Sequence, residues 1–129
     1  MAGRVLLDTS TVVAVLRGEE AMGERLRQAD EVFTSVVVLG ELLFGARHST
    51  RPTRNRERVE AFSASVTALP CDRLTAEVYS RLKQGLREKG RPIPDNDLWI
   101  AATAVQHGLV LGSRDDHFAE IEELRQETW

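Results

Sequence analysis

Two short apolar runs, Val5-Leu6-Leu7 and Leu109-Val110-Leu111, lie near opposite ends of the chain, and each stops at small and acidic residues. Neither alternates with polar positions, as expected of a strand covered on both faces in a parallel sheet. Asp8 follows the first run directly; Gly112-Ser113-Arg114-Asp115 follows the second. Strands of this kind need helices packed on both sides, and open sheets of this class bind ligands beyond the carboxyl ends of their strands. The sequence therefore predicts an α/β sandwich with a mainly parallel central sheet flanked by helices, carrying Asp8 and Asp115 at the ligand-binding edge.

The intervening segments supply the helices. Thr9 or Ser10 can cap one that runs to Leu16, and a second spans residues 20–29. A short strand at Val32-Phe33-Thr34 leads to Ser35, another good cap, and then to a helix over residues 36–47 that is apolar nearly all round and so expected to be buried. Pro52 opens a helix to about residue 64. A further helix covers residues 75–89, with Leu82 and Leu86 one turn apart and Gly90 at its end. Pro92 and Pro94 keep their predecessors extended. Asp95 or Asn96 then caps a helix over residues 97–107, closed by Gly108, and a last strand is expected within residues 124–129.

A length of 129 residues suits one domain over residues 1–129, and 42% hydrophobic with 29% charged residues excludes wholesale disorder. The lone Cys71 rules out an internal disulfide and a cysteine-based zinc site, and fits a reducing compartment. Asp8 interrupts the apolar stretch of residues 5–16, which falls short of the roughly 20 residues that cross a membrane and has no cleavage site after it. A cytoplasmic protein without membrane association is expected. The net charge of −3 argues against capture of nucleic acid by the whole surface. Residues 47–58, RHSTRPTRNRER, nevertheless hold five arginines and one acid. That segment is either a solvated face or a phosphate-contacting patch.

Taken singly, the acids have ordinary explanations. Asp8 stands where a helix start favours an acid; Asp95 and Asp97 share that reading, and Asp115 and Asp116 sit where aspartates form turns. Glu41, inside VVVLGELLFGA, is harder to place, because an unpaired carboxylate in a core helix is costly; a salt bridge to an arginine would be its ordinary explanation. Together, two strand ends and two helices can each offer one carboxylate to the same sheet edge. Those charges would repel without a cation, and Mg²⁺ or Mn²⁺ takes oxygen ligands while keeping waters that a substrate phosphate can replace. Asp97 is preferred to Asp95, which is assigned to the helix cap, while the residues alone do not separate Asp115 from Asp116. His48, His107 and His117 accompany no nucleophile motif and are read as surface or turn residues.

The elements VLLDTS, VLGELLFGA, IPDNDLWIAATA and LVLGSRDDHF with a terminal LRQETW span nearly the whole chain. In order and spacing they resemble the PIN-domain toxins of bacterial toxin–antitoxin systems, the VapC type. The resemblance implies a PIN-like three-layer sandwich and a Mg²⁺- or Mn²⁺-dependent endoribonuclease. It also implies a homodimer, held inactive by a VapB-type antitoxin that inserts a segment into the active-site groove, with promoter DNA met through the antitoxin. Carried over by position, the four family acids fall on Asp8, Glu41, Asp97 and Asp115, which would be both catalytic and metal-binding. Ser113 stands at the usual hydroxyl position, and Ser10 where the family often shows Asn. A haloacid-dehalogenase-type phosphatase would need an aspartate where Ser10 stands. A response-regulator receiver would need an acidic pair before its phosphoacceptor and a lysine after its last core strand, and neither is present. The non-enzymatic alternative is a catalytically silent PIN-like module that binds antitoxin or RNA.

Overall fold

The computed structural model describes residues 3–129. The chain runs β1 (Arg4–Leu7), α1 (Thr9–Leu16), α2 (Glu20–Gln28), β2 (Glu31–Ser35), α3 (Val36–Arg47), α4 (Pro52–Ser65), β3 (Thr67–Leu69), α5 (Arg73–Lys89), α6 (Asp95–Gln106), β4 (Val110–Gly112), a 3₁₀ turn (Asp116–Glu120) and β5 (Gln126–Glu127). The strands form one sheet in the order β3-β2-β1-β4-β5, with every neighbouring pair parallel. β1 is central. Val5, Leu6 and Leu7 point alternately to the two faces and are all fully buried, so both faces of the sheet are covered. The expected three-layer α/β sandwich is thus observed.

The strand order reverses at β1: the chain moves outward through β2 and β3, then returns to the other side of β1 with β4. Such a switch point leaves a crevice at the carboxyl ends of the two strands. Asp8 and Ser113 follow β1 and β4 directly and stand at that crevice.

Several helix ends obey their sequence signals. The Ser35 hydroxyl accepts the Val38 N–H at 3.2 Å, and Gly90 and Gly108 end α5 and α6 with φ of 66° and 64°, the left-handed region that glycine tolerates. Three expectations need correction. The cap of α1 is Asp8, whose Oδ1 accepts the Thr11 N–H at 3.0 Å, rather than Thr9 or Ser10. α6 begins two residues early, with Pro94 at the cap position and no side-chain cap, so neither Asp95 nor Asn96 caps it. α3 is not enclosed: Val38, Leu42 and Ala46 are buried, but Val36 is 40% and Phe44 62% exposed. A helix turns a new face every 100°, so an all-apolar sequence does not show which faces the fold covers. β3 was not expected, since three residues are too few to show a period. Among the described residues, no helix is long and apolar enough to cross a membrane.

Candidate active site

Asp8 is 2% exposed and held by three donors, of which the Ser10 hydroxyl, 3.3 Å from Oδ1, is the most distant. Besides capping α1, its Oδ2 accepts the Ser113 hydroxyl at 2.6 Å, and the same hydroxyl accepts the Asp115 N–H at 3.0 Å. Ser113, which is fully buried, therefore ties the end of β1 to the loop after β4. Thr11 reinforces the tie by donating to the Gly112 carbonyl at 3.2 Å. The apolar strands end where they do because these polar groups satisfy one another at the sheet edge.

Glu41 reaches the edge from α3. The Thr9 hydroxyl donates to its Oε1, and Asn96 Nδ2 donates to its Oε2 at 3.3 Å. Among the described residues no arginine comes within ion-pair distance of it, so the salt-bridge explanation does not hold. Asp97, in the first turn of α6, is half-buried. Burial pushes its carboxyl above the ordinary aspartate range, and the charges of Glu41, Asp115 and Asp8 push it the same way; His117 opposes them. These interactions bring all four predicted acids into one electrostatic neighbourhood.

The members of the two aspartate pairs face different surroundings. Asp95 turns to α5, where Lys83 Nζ at 3.1 Å and then the Tyr79 hydroxyl at 3.0 Å hold its carboxyl below the usual range. Asp116 is exposed at the start of the 3₁₀ turn, whereas Asp115 is partly buried and acts on Asp97.

Sequence reasoning missed the part of one residue. His117 lies in the 3₁₀ turn, as one of the two expected readings had it, but it also faces the site: its Nε2 lies 3.0 Å from Asp97 Oδ2 and has no other partner. Phe118, fully buried beside it, anchors the turn that aims the ring. The signal available in the sequence was that pairing of a histidine with an obligate core aromatic just after Asp115. Thr9 and Asn96 were noticed only as cap candidates.

The donors of the set are carboxylate oxygens, which suit a hard divalent cation. In the side-chain positions present, and among the described residues, no three acid, histidine or cysteine side chains gather tightly enough to enclose an ion. Each of Asp8, Glu41 and Asp97 is instead held by its own polar partner. Beside the acids opens a groove of about 430 Å³, lined by Thr9, Glu41, Leu42, Asn55, Arg17 and Arg58 among others.

Residues 5–124 match the PIN-domain family. Ribonuclease VapC5 of Mycobacterium tuberculosis is 35% identical over 119 residues, covering 91% of this chain and 87% of its own length. Ribonuclease VapC2 of Haemophilus influenzae is 31% identical over 129 residues, with 98% of each chain covered. Among solved structures, that of DNA-bound VapBC from Salmonella typhimurium superposes with a TM-score of 0.93 at 30% identity, covering 100% of this chain and 99% of the other.

Proposed function

This chain belongs to the PIN-domain family and within it to the VapC ribonucleases, and from that membership we propose a Mg²⁺- or Mn²⁺-dependent endoribonuclease, the toxin of a toxin–antitoxin pair, whose metal ligands are Asp8, Glu41, Asp97 and Asp115. The observation that carries the assignment is the placement of the acids: Asp8 and Asp115 follow the two strands at the switch point and are tied together through Ser113, while Thr9 and Asn96, the chain neighbours of Asp8 and Asp97, both reach Glu41. Four carboxylates around one switch point, with no arginine paired to Glu41 or Asp97 among the described residues, favour a cation that would draw them together. Residues 1–129 are read as one PIN domain.

Each side chain has its own part. Ser113, the first-turn amide of α1 and, at longer range, the Ser10 hydroxyl fix the Asp8 carboxylate. Glu41 and Asp97 face the crevice from opposite helices. A bound Mg²⁺ or Mn²⁺ would lower the pKa of an attacking water and neutralise charge on the phosphodiester. The groove lined by Arg17 and Arg58 supplies the cations that an RNA backbone requires beside an acidic centre.

The same groove, apolar along Leu42, Ala46 and Val59 with arginines at its rim, suits the inserted segment of a VapB-type antitoxin, and DNA contact would be made through that partner. The homodimer reading is supported by the exposed Val36 and Phe44 of α3, two turns apart on one stripe. The test is cleavage of single-stranded RNA and total tRNA by the purified protein. Cleavage should need Mg²⁺ or Mn²⁺, and Asp8→Asn should reduce it at least ~10²-fold, as for other lost electrostatic stabilisers. Undiminished cleavage in excess EDTA would reject the metal mechanism, and RNA binding without cleavage would favour the silent module.

A further inference from the structure

Residue types that usually cap helices stand at the start of α1 and of α6, and neither caps. Asp8 takes that role at α1, which frees the Thr9 hydroxyl, and Pro94 occupies the cap position of α6, which leaves the Asn96 amide unused by its own backbone. Both side chains go to the same place: the Thr9 hydroxyl to Glu41 Oε1 and Asn96 Nδ2 to Glu41 Oε2, across 32 and 55 residues of sequence. Thr9 follows Asp8 in the chain and Asn96 precedes Asp97. The two elements that deliver two of the acids thus each send a neighbouring side chain over to a third.

Glu41 needs such support. It has three side-chain torsions and adjoins an open groove. Its charge and that of Asp97 repel, and no cation among the described residues holds it in place. Left free, the carboxylate would turn away from the other acids and into the groove. We propose that Thr9 and Asn96 are positioning residues that clamp Glu41 from both sides, so that its carboxylate stays at the acid cluster with one lone pair on each oxygen free for a cation. The inference rests on the metal-site reading above and adds two residues that act only through Glu41.

Mn²⁺ binding to the metal-free full-length protein, measured by calorimetry alongside RNA cleavage and thermal melting, tests the clamp. Thr9→Val should weaken Mn²⁺ binding about 10-fold, in the range seen when a partner of a ligand is lost, and Thr9→Ser should restore it. Asn96→Ala, at an exposed position, should weaken binding by a smaller factor with an unchanged melting temperature. On a Glu41→Gln background neither change should weaken binding further, because there is no longer a charged ligand to hold. Equal losses on both backgrounds, or no loss in either variant, would overturn the clamp. If Thr9→Val does not fold, Asn96→Ala decides alone, and unchanged affinity there would overturn it. A wild-type protein that binds no Mn²⁺, or whose affinity survives Glu41→Gln, would instead overturn the metal-site reading beneath it.

Discussion

Burial raises the Asp97 carboxyl, the charges of Glu41, Asp115 and Asp8 add to that, and His117 alone opposes them. An acid whose folded-state pKa lies above its unfolded value destabilises the native state as pH climbs from the ordinary carboxylate range through the raised one. Asp97→Asn removes that charge at nearly constant shape, so the metal-free variant should melt higher than wild type at neutral pH. The difference should shrink in acid, where Asp97 is protonated in both states. A lower melting temperature at neutral pH would mean that the contact with His117 outweighs the repulsion. Asp95 is the contrasting case, since Lys83 and Tyr79 hold its carboxyl low and it faces α5. Asp95→Asn should retain RNA cleavage and Mn²⁺ affinity, and a loss matching that of Asp97→Asn would transfer the ligand role to Asp95. Asp8, Asp115 and Glu41 stand out in the sequence as acids at two strand ends and within an apolar helix. The partners of the acids do not: Thr9, Asn96 and His117 act on residues brought near only by the tertiary fold, and a hydroxyl or imidazole has too many local uses to announce a distant one.

The elements were predicted well wherever a local signal ended them. Ser35, Gly90 and Gly108 stop or start their helices through backbone chemistry that needs no tertiary context. Asp8 and Pro94 took over caps from adjacent residues, because a cap position depends on where the strand or extended segment before it releases the chain. β4 is similarly displaced by one residue, to Val110–Gly112, and Gly112 shows why a small residue closes it. A Cβ there would lie 2.9 Å from Leu7 Cδ2 and 3.0 Å from Trp129 Nε1. Leu7 is fully buried and Trp129 nearly so, leaving neither room to withdraw. Gly112→Ala should therefore cost about 1–3 kcal/mol, the usual penalty for overpacking, visible as a lower denaturant midpoint with an unchanged slope. A neutral result would show that the C-terminal Trp129 can leave its seat without loss.

For the whole molecule, the sequence gives the number of apolar residues but not which of them the fold covers. α3 presents Val36, Gly40 and Phe44 outward, and two exposed apolar side chains on one helix support the proposed dimer interface where a lone exposed leucine such as Leu74 does not. Phe44→Glu should convert a dimer into a monomer in sedimentation while leaving Mn²⁺ affinity intact. A wild-type monomer at the same concentrations would remove the dimer from the proposal. Charge is distributed with equal asymmetry. Most arginines elsewhere are paired, as in Arg25–Glu127, Arg81–Glu123 and Arg114–Glu19. In residues 47–58 only Arg56 has a carboxylate, Glu60 at 3.4 Å, and Arg58 lines the groove beside Glu41. In a chain of net charge −3, cations left unpaired on one face favour an anionic partner, because exposed ion pairs contribute little to folding and their absence here costs little. Arg51→Ala combined with Arg54→Ala should then weaken binding of RNA or of an acidic antitoxin segment, more at low salt than at high, without changing Mn²⁺ affinity or the melting temperature. The salt dependence follows because each lost phosphate contact removes part of the counterion release that drives association. If both partners bind the double variant as tightly as wild type at low salt, the segment is an ordinary solvated face and the groove must draw its cations from Arg17 and Arg58.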